Sequence, residues 1–261
     1  MRHYKILSNV VLSFLIVSIA CSKSDDDSST SVITNNQSQS EDINQGGSSK
    51  GTDDDQSEND NSFDRIKMMT FITEEIILPS YYNLNVSLAE LKESFEIFKV
   101  NITDQNLKEL RTKWLNSYKL WQHVEMYNIG KSMEDYLIFK SNIYPVDTVR
   151  VNQNIDTGKY DLENPNNYAA QGFPTMDYLL YGIQNEPVKV IDHYKENDKV
   201  MSYLGALIEE LATNVKNINE NWNQIKNEFV NSVDNTASSN LNMMVNDFIY
   251  YYEKGFRANK F

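Results

Sequence analysis

Cysteine is all but absent from this 261-residue chain. Its single residue, Cys21, rules out any internal disulfide. Proline (5) and glycine (9) are also scarce. That scarcity argues against a loop-rich or turn-rich all-β fold and, with abundant Leu, Ile, Lys, Glu and Asn, favours helices. Histidine is nearly as rare, at 3 residues, so metal chemistry based on imidazole clusters has few candidates. A basic surplus is missing too: the formal net charge is −13. No basic stripe is available for a phosphate backbone, which excludes nucleic acid as a partner. No His-Glu-x-x-His, phosphate loop, Ser/His/Asp set or catalytic cysteine is present.

The acids are unevenly spread. Residues 22–64 carry eleven acids against Lys23 and Lys50 and hold almost no apolar residues. Such a segment cannot bury enough surface to offset its ordering entropy, so residues 21–62 are expected to be a disordered acidic tether. Before it, Arg2 and Lys5 precede an apolar run over residues 10–20. The run is too short to span a bilayer and suits a secretion signal, residues 1–20. Its end resembles a lipobox, with Cys21 as the lipidated first residue of the mature chain, although Ser18 stands where Leu or Val is usual. The "SKSDDD" that follows resembles the acidic surface-export tract of outer-membrane lipoproteins in some Gram-negative bacteria. An ordinary signal peptide and a merely solvated tether are the plainer alternatives.

From residue 63 onward the pattern is helical. Ile66, Met69, Ile72 and Ile76 lead to Pro79, and Leu84, Leu88, Leu91, Phe95 and Phe98 continue beyond it. Ser87 and Glu90 stand at capping-box spacing, which predicts a break near Pro79 and a restart. Thr103 is a candidate N-cap for a second helix with the stripe Leu107, Leu110, Trp114, Tyr118 and Trp121. One step further on that face comes Glu125. A third helix from Asp198 carries Val200, Leu204, Leu207, Leu211, Val215, Ile218, Trp222, Ile225 and Phe229, and a fourth carries Leu241, Met244, Val245, Phe248, Tyr252 and Phe256. Residues 141–171 show no sustained period, and a long irregular segment is expected there. The whole reads as all-α, an antiparallel bundle of long helices over residues 63–261.

Four pieces carry a family resemblance: "WLNSYKLWQHVEMYNIG" (114–130), "IYPVDTVRVNQNI" (143–155), "GFPTMDYLLYG" (172–182) and "YYEKGFRAN" (251–259). Their order and spacing, with "IILPSYYNL" (76–84), resemble the imelysin-like proteins over about residues 65–261. The resemblance implies a helical envelope protein of the periplasm or outer membrane. Imelysin itself is described as a metallopeptidase, and relatives are associated with iron acquisition. The third piece is similar to the family's Gly-x-His-x-x-Glu segment, its proposed metal or catalytic site. Gly172 matches, Pro174 replaces the histidine, and Asp177 replaces the glutamate. Arg257 matches the family's arginine, beyond which family sequences continue into further helices. The second half of the family fold is therefore expected to be largely missing.

Proline offers no lone pair to a metal, but it fits a first helical turn. His123 and His193 are expected on the surface and in a polar connection. What remains is a carboxylate pair, Glu125 and Asp177, on apolar faces. One reading makes them an oxygen-ligand site for a divalent cation or iron. The other leaves them as buried acids satisfied by Tyr hydroxyls, backbone amides, Arg150 or Arg257. The functional expectation is a lipid-anchored binding or uptake component of the outer membrane at the cell surface, with envelope partners. A metallopeptidase with a ligand from elsewhere, or a truncated non-functional fragment, stands as the alternative. The crowded aromatics Phe248, Tyr250, Tyr251, Tyr252, Phe256 and Phe261 add an expectation of self-association.

Overall fold

The computed structural model describes residues 63–184 and 187–258. Cys21, the signal and tether segments, and Phe261 lie outside the described residues. Every regular element is helical: α1 (Arg65–Phe71), α2 (Leu78–Val100), α3 (Asp104–Trp121), α4 (Lys131–Glu134), α5 (Leu137–Ser141), α6 (Thr148–Thr157), α7 (Gly172–Asp177), α8 (Pro187–Glu196), α9 (Asp198–Asn231) and α10 (Asn240–Tyr250). Three π-helical segments, Ile72–Ile77, Tyr178–Gly182 and Tyr251–Arg257, and a 3₁₀ segment, Pro165–Ala170, complete the set.

The core is where α2 packs on α3 and on α9. Its apolar positions are those the periodicity selects: Leu84, Leu88, Leu91, Phe95 and Phe98 from α2, Leu107, Leu110, Trp114 and Trp121 from α3. Val200, Leu204, Leu207, Leu211, Val215, Ile218, Trp222 and Phe229 come from α9. At 34 residues, α9 is the spine of the molecule, about 51 Å long at 1.5 Å per residue. Trp222 packs against Phe229 with ring centroids 4.9 Å apart and against Tyr81 at 6.3 Å. Thr103 caps α3, accepting from the Asn106 N–H at 3.3 Å.

The expected break at Pro79 does not occur. The chain stays helical from α1 into α2 by widening: the Leu78 N–H reaches back five residues to the Thr73 carbonyl. The wider turn accommodates a proline that cannot donate and would crowd the preceding carbonyls. It also adds one residue to the repeat, so the buried stripe shifts from Ile76, which is exposed, to Ile77, which is buried. Ser87 is no cap. It is buried in mid-helix, where its hydroxyl meets that of Ser117 at 2.8 Å.

Residues 141–171 are folded, contrary to the irregular segment expected from their composition. Asp147 caps α6 by accepting from the Arg150 N–H at 2.9 Å, and Gly158 ends it in the left-handed region. Val151 and Ile155 of α6, with Leu162 and Ala170, are buried in the core, and polar contacts add to them in fastening the segment to α9. Tyr203 of α9 donates to the Ala170 carbonyl at 2.5 Å and accepts from Asn154 at 3.0 Å, while Asn154 also donates to Asn167 at 3.0 Å. Buried Lys140 reaches Glu163 at 2.6 Å. The "VIDHYKE" stretch is likewise part of a helix, α8, with Val190, Ile191 and Tyr194 buried and His193 half-buried against Gln184.

Gly172 makes the closest backbone approach. At φ +76, the start of α7 rests on the end of α5, and an added Cβ would lie 2.3 Å from the Ser141 carbonyl oxygen. Gly158 shares a positive φ, +61, but faces open space. Gly172→Ala is therefore expected to cost at least about 2 kcal/mol, and Gly158→Ala only about 1 kcal/mol. Urea denaturation of both variants measures the difference, and equal costs would mean that the α5–α7 contact is not tight.

Candidate functional site

In "GFPTMDYLLYG" the residues Gly172, Phe173, Thr175, Met176, Leu179 and Leu180 are buried. Pro174, Asp177 and Tyr181, spaced by three and four, form the stripe left over. Asp177 is thus exposed and not a core acid, as its apolar neighbours in sequence suggest. Pro174 occupies the first turn of α7, as its missing N–H allows. α7 and the π turn that follows are held at three carbonyls. The Trp114 indole donates to the Phe173 carbonyl at 3.2 Å, Tyr194 donates to the Leu179 carbonyl at 3.2 Å, and Arg111 Nε donates to the Leu180 carbonyl at 2.9 Å. Arg111 also lies 4.4 Å over the Tyr181 ring.

Pro174 and Asp177 look into a cavity of about 830 Å³ whose wall also includes Glu125. The pair picked out from sequence therefore shares one pocket. Glu125 is 6% exposed and lies just past the end of α3, its N–H held by the Trp121 carbonyl at 3.0 Å. Its carboxylate accepts from the Trp121 indole at 3.0 Å, from Asn142 at 3.4 Å and from the Tyr251 hydroxyl at 2.5 Å. Burial first, and then the bond to Glu125, push the Tyr251 hydroxyl up, so it remains a donor. Neither arginine considered as a partner takes that role. Arg257 pairs with Glu253 on its own π segment, and the Arg150 backbone N–H serves the α6 cap. Neither lines the cavity.

A third acid, Asp247 on α10, completes the wall. In sequence it stands between Met244-Val245-Asn246 and Phe248-Ile249, an acid in an apolar run like Glu125 and Asp177, but outside the motif pieces that drew attention to those two. Partial burial pushes its carboxyl up to about 6, against a smaller opposing effect of the Asn128 N–H, which it accepts at 3.1 Å. Asp177 is raised as well, by desolvation. Lys254 is the one basic residue on this wall among the described residues, and the rest is largely aromatic.

Among the described residues, no three His, Cys, Asp or Glu side chains are grouped to hold a metal ion. Glu125 and Asp177 share a wall without forming a cage, and the Glu125 oxygens are already engaged by N–H and O–H donors. His123 is exposed, away from the pocket. This donor set does not suit a tightly coordinated ion such as zinc, which takes four close N, S or O ligands.

An all-α bundle with an acidic, aromatic pocket at the meeting of α3, α5, α7 and α10 defines the class. The imelysin family profile matches residues 77–256, and the chain belongs to that family. Two crystal structures share the fold. An imelysin-like protein from Psychrobacter arcticum 273-4 is 18% identical with a TM-score of 0.55, over 72% of this chain and 59% of that one. A putative iron-regulated protein A precursor from Parabacteroides distasonis ATCC 8503 is 13% identical with a TM-score of 0.51, over 72% of this chain and 50% of that one. The chain thus spans only half to three-fifths of the length of these structures. No curated protein matches it significantly. Among the described residues no helix is long and apolar enough to cross a membrane.

The raised Asp247 carboxyl has a consequence for stability. A group that holds its proton more tightly folded than unfolded lowers stability as pH rises, here between about pH 4 and 6. Asp247→Asn removes that dependence. At pH 7.5 the variant is expected to be more stable than the parent by about 1 kcal/mol, after discounting for half-exposure, and near pH 4 the two should coincide. Urea midpoints at the two pH values decide, and a gap that is constant with pH would contradict the assignment.

Proposed function

We propose that this chain is a lipid-anchored member of the imelysin family at the outer membrane, facing the cell surface, that binds a cationic cargo for uptake and does not cleave peptides. The observation that carries this reading is Pro174, which stands beside Asp177 on the pocket wall where the family motif has histidine. The pocket keeps its acids but has no histidine among its described lining residues, so the imidazole that the family motif supplies beside the acid is missing here. With three acids and one lysine on its wall, it favours a positively charged occupant. The link to iron rests on one structural neighbour, described as an iron-regulated protein A precursor, and that description concerns the neighbour alone.

The test is to isolate the full chain natively from membranes, unfold it, and identify what it releases by elemental analysis and mass spectrometry. Close to one cationic cargo per chain is expected, reduced about tenfold or more when Asp177→Asn and Asp247→Asn are combined, since that exchange removes two of the three acids. Chelator-sensitive cleavage of unfolded protein by the purified chain, lost in Asp177→Asn, would overturn the non-catalytic reading.

The anchor is tested separately. Cys21→Ala should move the protein from the membrane fraction to the soluble fraction, because it removes the only thiol that could carry lipid. Continued membrane partitioning of that variant would refute the anchor.

A further inference from the structure

We infer that the occupant of this pocket is an organic cation, an ammonium or guanidinium group carried on an aromatic or aliphatic body, and not a bare metal ion. This rests on the binding reading above and specifies its ligand.

Size is the first argument. A cavity of about 830 Å³ is within the ordinary range for small organic ligands and far larger than the roughly 30 Å³ of one water. A bare or hydrated ion would leave most of it filled with solvent.

The second argument is the wall. Trp114, Tyr118 and Phe173 form its deeper aromatic part, joined by ring contacts of 5.6 Å between Trp114 and Tyr118 and 5.2 Å between Tyr118 and Phe173. At the rim, Phe139, Tyr144 and Tyr250 are 49%, 85% and 66% exposed. Large rings left this open on one concave wall are not explained by the core. They bury apolar surface only if something enters. Near Phe139, Tyr136 is held in the left-handed region at φ 56, a conformation that costs a bulky residue energy and that persists where the surrounding structure imposes it. Aromatic faces attract ammonium and guanidinium groups, and the attraction grows as water is excluded.

Charge is the third. Asp177, Asp247 and Glu125 set the sign of the pocket, yet they are not grouped as metal ligands. A neutral ligand could at most donate hydrogen bonds to the acids and would leave their charge unbalanced, and an anion would be repelled by them. A hard metal ion would use the acids and ignore the rings. An organic cation balances the charge and uses the rings as well.

The experiment compares two near-isosteric probes on the full chain by calorimetry: 2-phenylethylammonium, and the uncharged 2-phenylethanol. The ammonium is expected to bind with a Kd below about 1 mM and at least about tenfold more tightly than the alcohol. Asp177→Asn, at an exposed position, should weaken the ammonium several-fold and leave the alcohol unchanged, while Tyr250→Ala should weaken both. Equal affinity for the two probes, or ammonium binding indifferent to Asp177→Asn, overturns the inference. Absence of binding by either probe also overturns it. If the natively isolated chain then releases a metal ion that depends on Asp177 and Asp247, the binding reading survives and only its organic cation is lost. If neither cargo nor probe depends on those acids, both fall.

Discussion

A carboxylate taken out of water must find donors or lose its charge, and the architecture around the pocket follows from how Glu125 meets that demand. Its partners come from three places: Trp121 at the end of α3, Asn142 just past α5, and Tyr251 beyond α10. Tyr251 is 126 positions from Glu125. One buried acid thus ties the last helix to the chain just past the second long one, on the cavity wall that also carries Asp177, Asp247 and Lys254. Stability in the bundle comes from α2, α3 and α9. The shape of the pocket comes from this polar knot.

Helices whose stability is a matter of apolar period were plain in the sequence. The stripes of α2, α3 and α9 are buried nearly as read, since long amphipathic helices are decided by the solvent-facing and core-facing halves of each turn. The π segments were not legible. One inserted residue leaves the composition unchanged and moves only the phase, as Ile76 and Ile77 illustrate. Residues 141–171 were misread for a different reason: their apolar pattern is as short as Val151 and Ile155 on α6, and Tyr203, Asn154 and Asn167 supply further fastening through hydrogen bonds, which have no period. For the site, Glu125 and Asp177 could be found because an acid among apolar neighbours is conspicuous. Asp247 carries the same signal, between Val245 and Phe248, but it lies outside the motif pieces, and its partial burial arises only when α10 folds back.

The terminal region divides its aromatics between two tasks. Phe248 packs on Tyr127 with ring centroids 5.6 Å apart, and Tyr251 serves Glu125. Val245, Ile249 and Tyr252 remain exposed on the outer side. The helix is therefore attached by one edge, through a few specific contacts, and not by a full apolar face. Leu241, Met244 and Phe248 fasten it to the bundle, while Asp247, Tyr250 and Tyr251 line the cavity.

One of the three π turns lines the pocket, Tyr251–Arg257, which contributes Tyr251, Lys254 and Gly255. A π turn is an α-helix with one residue to spare. Removing that residue rotates everything beyond it by about 100° while the axis keeps its course. The terminal turn thus acts as an indexing joint: a one-residue deletion at its start would exchange which of the side chains around Tyr251, Lys254 and Gly255 face the cavity, while α2, α3 and α9 all precede the change in the chain.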